Sequence, residues 1–282
     1  MSRVYRALEK AEKEKMKKDK GEPISSILKE VISPKEEAAP EKILEIDIKE
    51  IGAPEAEEFP FLMAEPDSFA AEQFRKLRTF LFMRSPHPPR LILITSAFPQ
   101  EGKTTVALNL AFAISQEINK KAILIDADLR MPSIYLKNFE NSPGLSNYLM
   151  DHLPVEAVMK NSGKEKLWII PAGKPSSQAA ELIGSRRMEE LLHFLRNFGE
   201  DTYTLIDSPP IVSASEPILL SRIVDGIILV VMADKSPRAA IRKAINDIPK
   251  DKILGVVFNQ KELKPTKYYS EYYYRKYKKQ KD

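Results

Sequence analysis

Lys103, Thr104 and the aspartates Asp126, Asp128 and Asp207 are the residues of this 282-residue chain whose types and spacing could do chemistry. Gly102-Lys103-Thr104 ends a loop, Ser96 to Thr104, that follows the apolar run Leu91 to Ile94 and precedes an apolar helix from about Val106. Strand, tight loop and helix in that order match the Walker A phosphate loop. Backbone N–H groups at a helix N-terminus attract anions. Lys103 would reach the β- and γ-phosphates of a nucleotide, and the Thr104 hydroxyl would ligate Mg²⁺. Ala97 stands where the pattern has its first glycine. Asp126 follows Ile123-Leu124-Ile125, and Asp207 follows Thr204-Leu205-Ile206. Both therefore fall at C-terminal strand ends, where open parallel sheets place their ligands. Phosphoryl transfer needs a metal bridging the phosphates and an acid near the nucleophile. One aspartate at a strand end is commonplace. Two of them, with Asp128 and the phosphate loop in one sheet, point to ATP hydrolysis or phosphoryl transfer.

The elements that must position these groups alternate along the chain. Buried strands are predicted at Leu91 to Ile94, Ala122 to Ile125, Leu167 to Ile170, Tyr203 to Ile206, Ile227 to Val231 and Ile253 to Phe258. Helices are predicted from an Asp67 or Ser68 cap to about Arg84, through Val106 to Phe112, over 144–160, and from Ala179 to Phe198. In the first of these, Phe74, Leu77 and Leu81 make an apolar face, and Glu72, Arg75 and Arg78 make a second, charged stripe. The fold class that follows is α/β, a doubly wound, mostly parallel sheet of the P-loop NTPase kind. The predicted domain spans residues 67–263.

The flanks have a different character. Residues 1–20 carry eight Lys/Arg against four Asp/Glu, with Val4, Leu8 and Ala11 at helical spacing, and are expected to form a short amphipathic helix. Residues 21–66 hold twelve acidic residues, four lysines and six prolines, the composition of an acidic flexible linker. From Lys264 to Asp282 apolar periodicity stops, and six of the ten tyrosines gather in a basic tail: Tyr268, Tyr269, Tyr272, Tyr273, Tyr274 and Tyr277. The absence of cysteine excludes disulfides, thiol chemistry and cysteine-ligated zinc. Forty-four basic residues against forty acidic ones give no argument for a nucleic-acid partner. No run reaches the 18 or so apolar residues of a membrane span, so the expected location is cytoplasmic, with membrane association coming only through a partner or a surface contact.

Five features, taken together, resemble those of the bacterial tyrosine autokinases, the BY-kinases. Thr95-Ser-Ala-Phe-Pro-Gln-Glu-Gly-Lys-Thr-Thr105 resembles their Walker A, which also commonly lacks the first glycine. Ile123-Leu-Ile-Asp-Ala-Asp-Leu-Arg130 is similar to their Walker A′, and Thr204-Leu-Ile-Asp-Ser-Pro-Pro210 to their Walker B. Glu72-x-x-Arg75-x-x-Arg78 resembles the helix motif of their ring interface, and the tyrosine cluster resembles their autophosphorylated tail. The likeness covers about residues 68–282. It departs at Pro175-Ser-Ser-Gln-Ala-Ala-Glu-Leu-Ile183, where the family often carries Pro-Asn-Pro, and that departure concerns the interface more than catalysis.

The resemblance implies an ATP- and Mg²⁺-dependent protein-tyrosine autokinase that regulates exopolysaccharide or capsule synthesis or export. It implies that the backbone of Gln100, Glu101, Gly102, Lys103, Thr104 and Thr105 cradles phosphate, and that Lys103 neutralises it. Thr104, Asp126 and Asp207 would lie at the metal, with Asp126 there or taking the tyrosine proton and Asp128 completing the shell. Arg130 would hold the acidic group or the incoming tail, or else make a structural salt bridge. The six tail tyrosines would be the acceptors. The implied partners are a membrane polysaccharide co-polymerase that activates the kinase, a cognate tyrosine phosphatase, and further copies of the chain in a ring. Two other classes compete. A partitioning or division-site ATPase would carry an extra lysine where this chain has Phe98, and it would not need the tyrosine tail. A non-catalytic adaptor would not need Lys103, Asp126 and Asp207.

Overall fold

A computed structural model describes residues 68–84, 87–132, 134, 142–162, 166–233 and 235–260. The N-terminal amphipathic helix, the acidic linker and the tyrosine tail predicted above lie outside the described residues. The chain order is α1 (Phe69–Phe82), β1 (Leu91–Ser96), α2 (Lys103–Ser115), β2 (Lys121–Asp126), α3 (Leu145–Met150), α4 (Val155–Val158), β3 (Lys160–Asn161), β4 (Leu167–Ile170), α5 (Ala179–Ile183), α6 (Arg186–Arg196), β5 (Thr202–Asp207), α7 (Glu216–Ile223), β6 (Gly226–Met232), α8 (Arg238–Asn246) and β7 (Ile253–Asn259).

The strands form one sheet in the order β3-β4-β2-β5-β1-β6-β7. Every pairing is parallel except β3 with β4. Parallel strands buried on both faces read as continuous apolar runs, and side chains that alternate by two fill both sides. Leu91, Leu93, Ile123 and Ile125 join the core that packs under α5, α6 and α8. Ile92, Ile94, Ala122 and Leu124 join the core under α1 and α2. Helix α2 is buried along most of its length, from Val106 to Ala111 and from Ala113 to Ser115, as an almost wholly apolar helix must be.

Helix α1 begins where the sequence predicts, with the Ser68 Oγ accepting from the Ala71 N–H at 3.1 Å. Leu81 is buried, and Phe74 and Leu77 pack against the α1–α2 core. Two helix predictions need correction. The stretch 144–160 is not one helix: α3 ends at Met150, His152 takes φ 55°, and Pro154 stands as N-cap of α4, after which the chain enters the short strand β3. The stretch Ala179 to Phe198 is also broken. Gly184 ends α5, and the Ser185 Oγ accepts from the Met188 N–H at 3.3 Å to start α6. The sheet has seven strands, one more than the six predicted, because the two-residue β3 carries no apolar run.

Candidate active site

Strands β2, β5 and β1 lie side by side, so the loops leaving their C-terminal ends meet. The register pairs Asp126 with Asp207 across β2 and β5, and Ile94 with Asp207 across β1 and β5. The phosphate loop leaves β1 next to Asp207, with Asp126 one strand further on. Gly102 sits at φ 85°, in the left-handed region, and Gln100 at φ 63°. Glycine is required at 102 for a second reason: a Cβ there would lie 1.9 Å from the Asn259 Nδ2. Ala97 is buried in the core and is not among the positive-φ residues, so the position of the missing first glycine makes no demand for one. Gly102 gives α2 no side-chain cap, which leaves the first-turn N–H groups to other acceptors.

Lys103 Nζ lies 3.7 Å from the Asp128 Oδ2 and 3.9 Å from the Asp207 Oδ1. The Thr104 Oγ1 donates to the Asp207 Oδ2 at 2.6 Å. Asp126 and Asp207 are fully buried and Asp128 is 7% exposed. The Asp126 carboxylate is used to shape its own loop: Oδ1 accepts from the Asp128 N–H at 3.1 Å and Oδ2 from the Ile134 N–H at 2.9 Å. The Asp128 Oδ1 accepts from the Met131 N–H at 3.0 Å, which leaves Oδ2 turned to Lys103.

The donor set fits Mg²⁺ beside nucleotide phosphates. Two buried carboxylates, Asp128 and Asp207, face one ammonium, an excess of negative charge that a divalent cation would balance. Among the described residues no three His, Cys, Asp or Glu make a metal cluster by themselves. Mg²⁺ in phosphoryl-transfer sites is held by one or two carboxylates, a hydroxyl and substrate phosphates. Thr104 and Asp207 are side chains that could hold it; Asp126, expected there as well, has both oxygens on backbone N–H groups.

Of the remaining predicted residues, Thr105 is exposed on the first turn of α2 and Glu101 is buried in the loop. Arg130 lies beyond the carboxylate cluster: its Nε donates to the Glu216 Oε1 at 2.7 Å. That hydrogen bond raises the Arg130 pKa above its ordinary value. Glu216 is fully buried at the start of α7, so the pair joins the loop after β2 to the segment after β5. Glu72, Arg75 and Arg78 stand on α1, away from this cluster. The Arg75 Nε donates to the Glu72 Oε2 at 2.8 Å. Arg78 reaches α2, donating to the Ala113 carbonyl at 2.8 Å and pairing with Glu117 at 2.8 Å. Sequence reasoning missed Asn259, whose Nδ2 donates to the Glu101 carbonyl at 3.0 Å, and Ser236, which donates to the Glu101 carboxylate. Neither sits in a motif; only their positions just past apolar strands hint at a sheet-edge role.

A parallel sheet with a phosphate loop after β1 and acidic ends on β5 beside it and β2 beyond defines a P-loop NTPase-type domain. The family model described as "AAA domain" matches residues 92–250. The tyrosine-protein kinase YwqD of Bacillus subtilis (strain 168) is 34% identical over 216 residues, which is 75% of this chain and 89% of that one. The succinoglycan biosynthesis transport protein ExoP of Rhizobium meliloti (strain 1021) is 31% identical over 215 residues, 73% of this chain but 27% of that one. The kinase domain of Escherichia coli tyrosine kinase ETK superposes with a TM-score of 0.62 at 28% identity, covering 72% of this chain and 82% of that one. The chain belongs to the bacterial tyrosine-protein kinases, and its described domain has a P-loop NTPase-like fold.

Proposed function

We propose that this kinase transfers the γ-phosphoryl group of ATP to tyrosines of its own C-terminal tail, from one copy to another within an oligomer. The observation that carries this reading is the Lys103 ammonium held between Asp128 and Asp207, with Thr104 donating to Asp207. Bound Mg²⁺ supplies charge neutralisation of the phosphates. Lys103 stabilises charge on the β- and γ-phosphate oxygens, and the N–H groups of residues 100–105 orient them. The acceptor tyrosine oxygen bonds to the γ-phosphorus while the bond from that phosphorus to the β–γ bridging oxygen breaks, leaving ADP. The tyrosine proton passes to a carboxylate of the cluster. Asp126, the most deeply committed to backbone amides, positions Asp128; Asp207 anchors Thr104. Acceptors are Tyr268, Tyr269, Tyr272, Tyr273, Tyr274 and Tyr277.

The setting we propose is exopolysaccharide or capsule synthesis or export, in keeping with ExoP, the biosynthesis transport protein whose sequence this chain resembles. There the kinase would work at the inner face of the plasma membrane, docked on a membrane co-polymerase and reset by a tyrosine phosphatase. No helix among the described residues is long and apolar enough to cross a membrane. The exposed pair Glu72 and Arg75 would contribute to the contact between copies.

The test is Lys103→Met. Incubated with Mg-ATP, the variant should lose phosphotyrosine on an anti-phosphotyrosine blot by about 10²-fold or more while its circular dichroism is unchanged. Labelling at near the wild-type rate would remove Lys103 from the chemistry.

A further inference from the structure

The phosphate loop contains a carboxylate that phosphoryl transfer does not use. Glu101 directly precedes Gly102 and is 3% exposed. A buried acid next to a site for polyanions is unfavourable unless its charge is satisfied elsewhere. Its Oε2 accepts from the Phe98 N–H at 2.8 Å. Its Oε1 accepts from the Met232 N–H at 3.4 Å and from the Ser236 hydroxyl. Its carbonyl accepts from the Asn259 Nδ2 at 3.0 Å. Met232 ends β6 and Asn259 ends β7. In the strand order these lie on one side of β1, and the Asp126–Asp207 pair lies on the other. Glu101 therefore ties the loop to the half of the sheet that carries none of the three aspartates.

We propose that the Glu101 carboxylate, held by Ser236 and the Met232 N–H, is a positioning residue that fixes the shape of the phosphate loop and so sets nucleotide affinity. The inference rests on the phosphate-loop reading above. The link from Glu101 back to Phe98 spans Pro99 and Gln100, and Gln100 is the loop's non-glycine residue at positive φ. Such a conformation persists only where its surroundings over-determine it, and the Glu101 carboxylate supplies that constraint from the inside of the turn. Glutamine replaces it only in part. Backbone donors approach both oxygens, the Phe98 N–H at 2.8 Å and the Met232 N–H at 3.4 Å, and the Met232 N–H also reaches the Ser236 Oγ at 3.2 Å; an amide offers one oxygen and one NH₂, so it can keep the Phe98 link only by giving up its share of the Met232 N–H to the hydroxyl. The Ser236 hydroxyl can rotate to accept; a backbone N–H cannot.

The experiment uses the full chain and reads Mg-ADP affinity by calorimetric titration, ATP KM and kcat from initial rates of phosphotyrosine formation, and Tm. Glu101→Gln is expected to weaken ADP binding and raise KM about tenfold, with kcat changed much less, because the loop holds phosphate equally in ground and transition states. Ser236→Ala is expected to move both in the same direction by about two- to threefold. The double variant should be no worse than Glu101→Gln, since the hydroxyl acts through the carboxylate. A lower Tm with unchanged KM and ADP affinity in both single variants would make Glu101 merely structural and overturn the proposal. Lys103→Met is titrated alongside. If it loses ADP affinity and Glu101→Gln does not, the positioning role alone fails. If both bind ADP as wild type does, the phosphate-loop reading fails and takes the proposal with it.

Discussion

At the scale of single residues, the proposed site divides into groups that would face phosphate and groups that hold those groups. Lys103 and Thr104 are of the first kind; Asp126 and Glu101 spend their oxygens on backbone N–H groups and are of the second. Arg130 is placed with the second kind. Its side chain is 47% exposed, but its partner Glu216 is buried at 1%, and one Glu216 oxygen has no hydrogen-bond partner. Removing the arginine would strand a buried carboxylate, which is costlier than losing the pair as a whole. Arg130→Met should therefore lower Tm by several degrees and slow tail labelling. Arg130→Met combined with Glu216→Gln should recover most of both losses. Thermal denaturation of the two proteins checks this, and an unchanged Tm in Arg130→Met would show that the pair does not brace the loop. Lys103, Thr104 and the three aspartates were legible in the sequence because each stands at a fixed offset from an apolar strand. Glu216 and Ser236 were not, because their roles come from contacts 86 and 135 residues away along the chain, and neither side chain type announces such a partner.

At the scale of elements, α1 shows how one charged stripe can have two duties. Glu72 and Arg75 pair within the helix, with side chains 43% and 41% exposed. Arg78 lies on the same stripe but is 14% exposed, because it leans over the end of α2 to the Ala113 carbonyl and Glu117. The i, i+3, i+6 spacing alone makes the three look equivalent; the turn of the helix toward α2 separates them. An exposed pair within a helix contributes about 0.2–0.5 kcal/mol, whereas hydrogen bonds from a charged, mostly buried donor contribute about 1.5–3 kcal/mol. In urea unfolding, Glu72→Ala and Arg75→Ala should leave the midpoint nearly unchanged. Arg78→Ala should lower stability by the larger amount. Equal effects from all three would mean that Arg78 does not fasten α1 to α2. The element boundaries that misread the sequence share a cause with this: Gly184-Ser185 and Pro154 act locally, while the apolar residues on both sides of each break keep a helical spacing because the successive short helices cover the same core. Periodicity reports the face that is buried, and it persists across a break in the backbone.

At the scale of the whole molecule, the described domain holds the proposed phosphate site, and the six proposed acceptor tyrosines lie in residues 264–282, outside the described residues. The doubly wound sheet was legible because its strands are continuous apolar runs, and the seventh, β3, escaped because two edge residues bury little. The tail's role follows from charge. Its seven Lys/Arg against Glu271 and Asp282 give +5. Each phosphate adds about −1.5 to −2, so full modification moves the six-tyrosine tail to roughly −4 to −7. In the proposed transfer between copies, a basic tail would be drawn to a neighbour's buried carboxylates and a strongly anionic one repelled by them. Phosphorylation should then both require assembly and loosen it. Mixing Lys103→Met chains with active chains that lack residues 264–282 tests the requirement, because the only tails present belong to copies that cannot label themselves. Phosphotyrosine is expected on the Lys103→Met tails, at a rate that rises with total concentration. Its absence, with both proteins folded by circular dichroism, would rule out transfer between copies. Light scattering on phosphorylated and phosphatase-treated wild type tests the release. The phosphorylated sample is expected to have the smaller mass, and equal masses would separate tail charge from assembly.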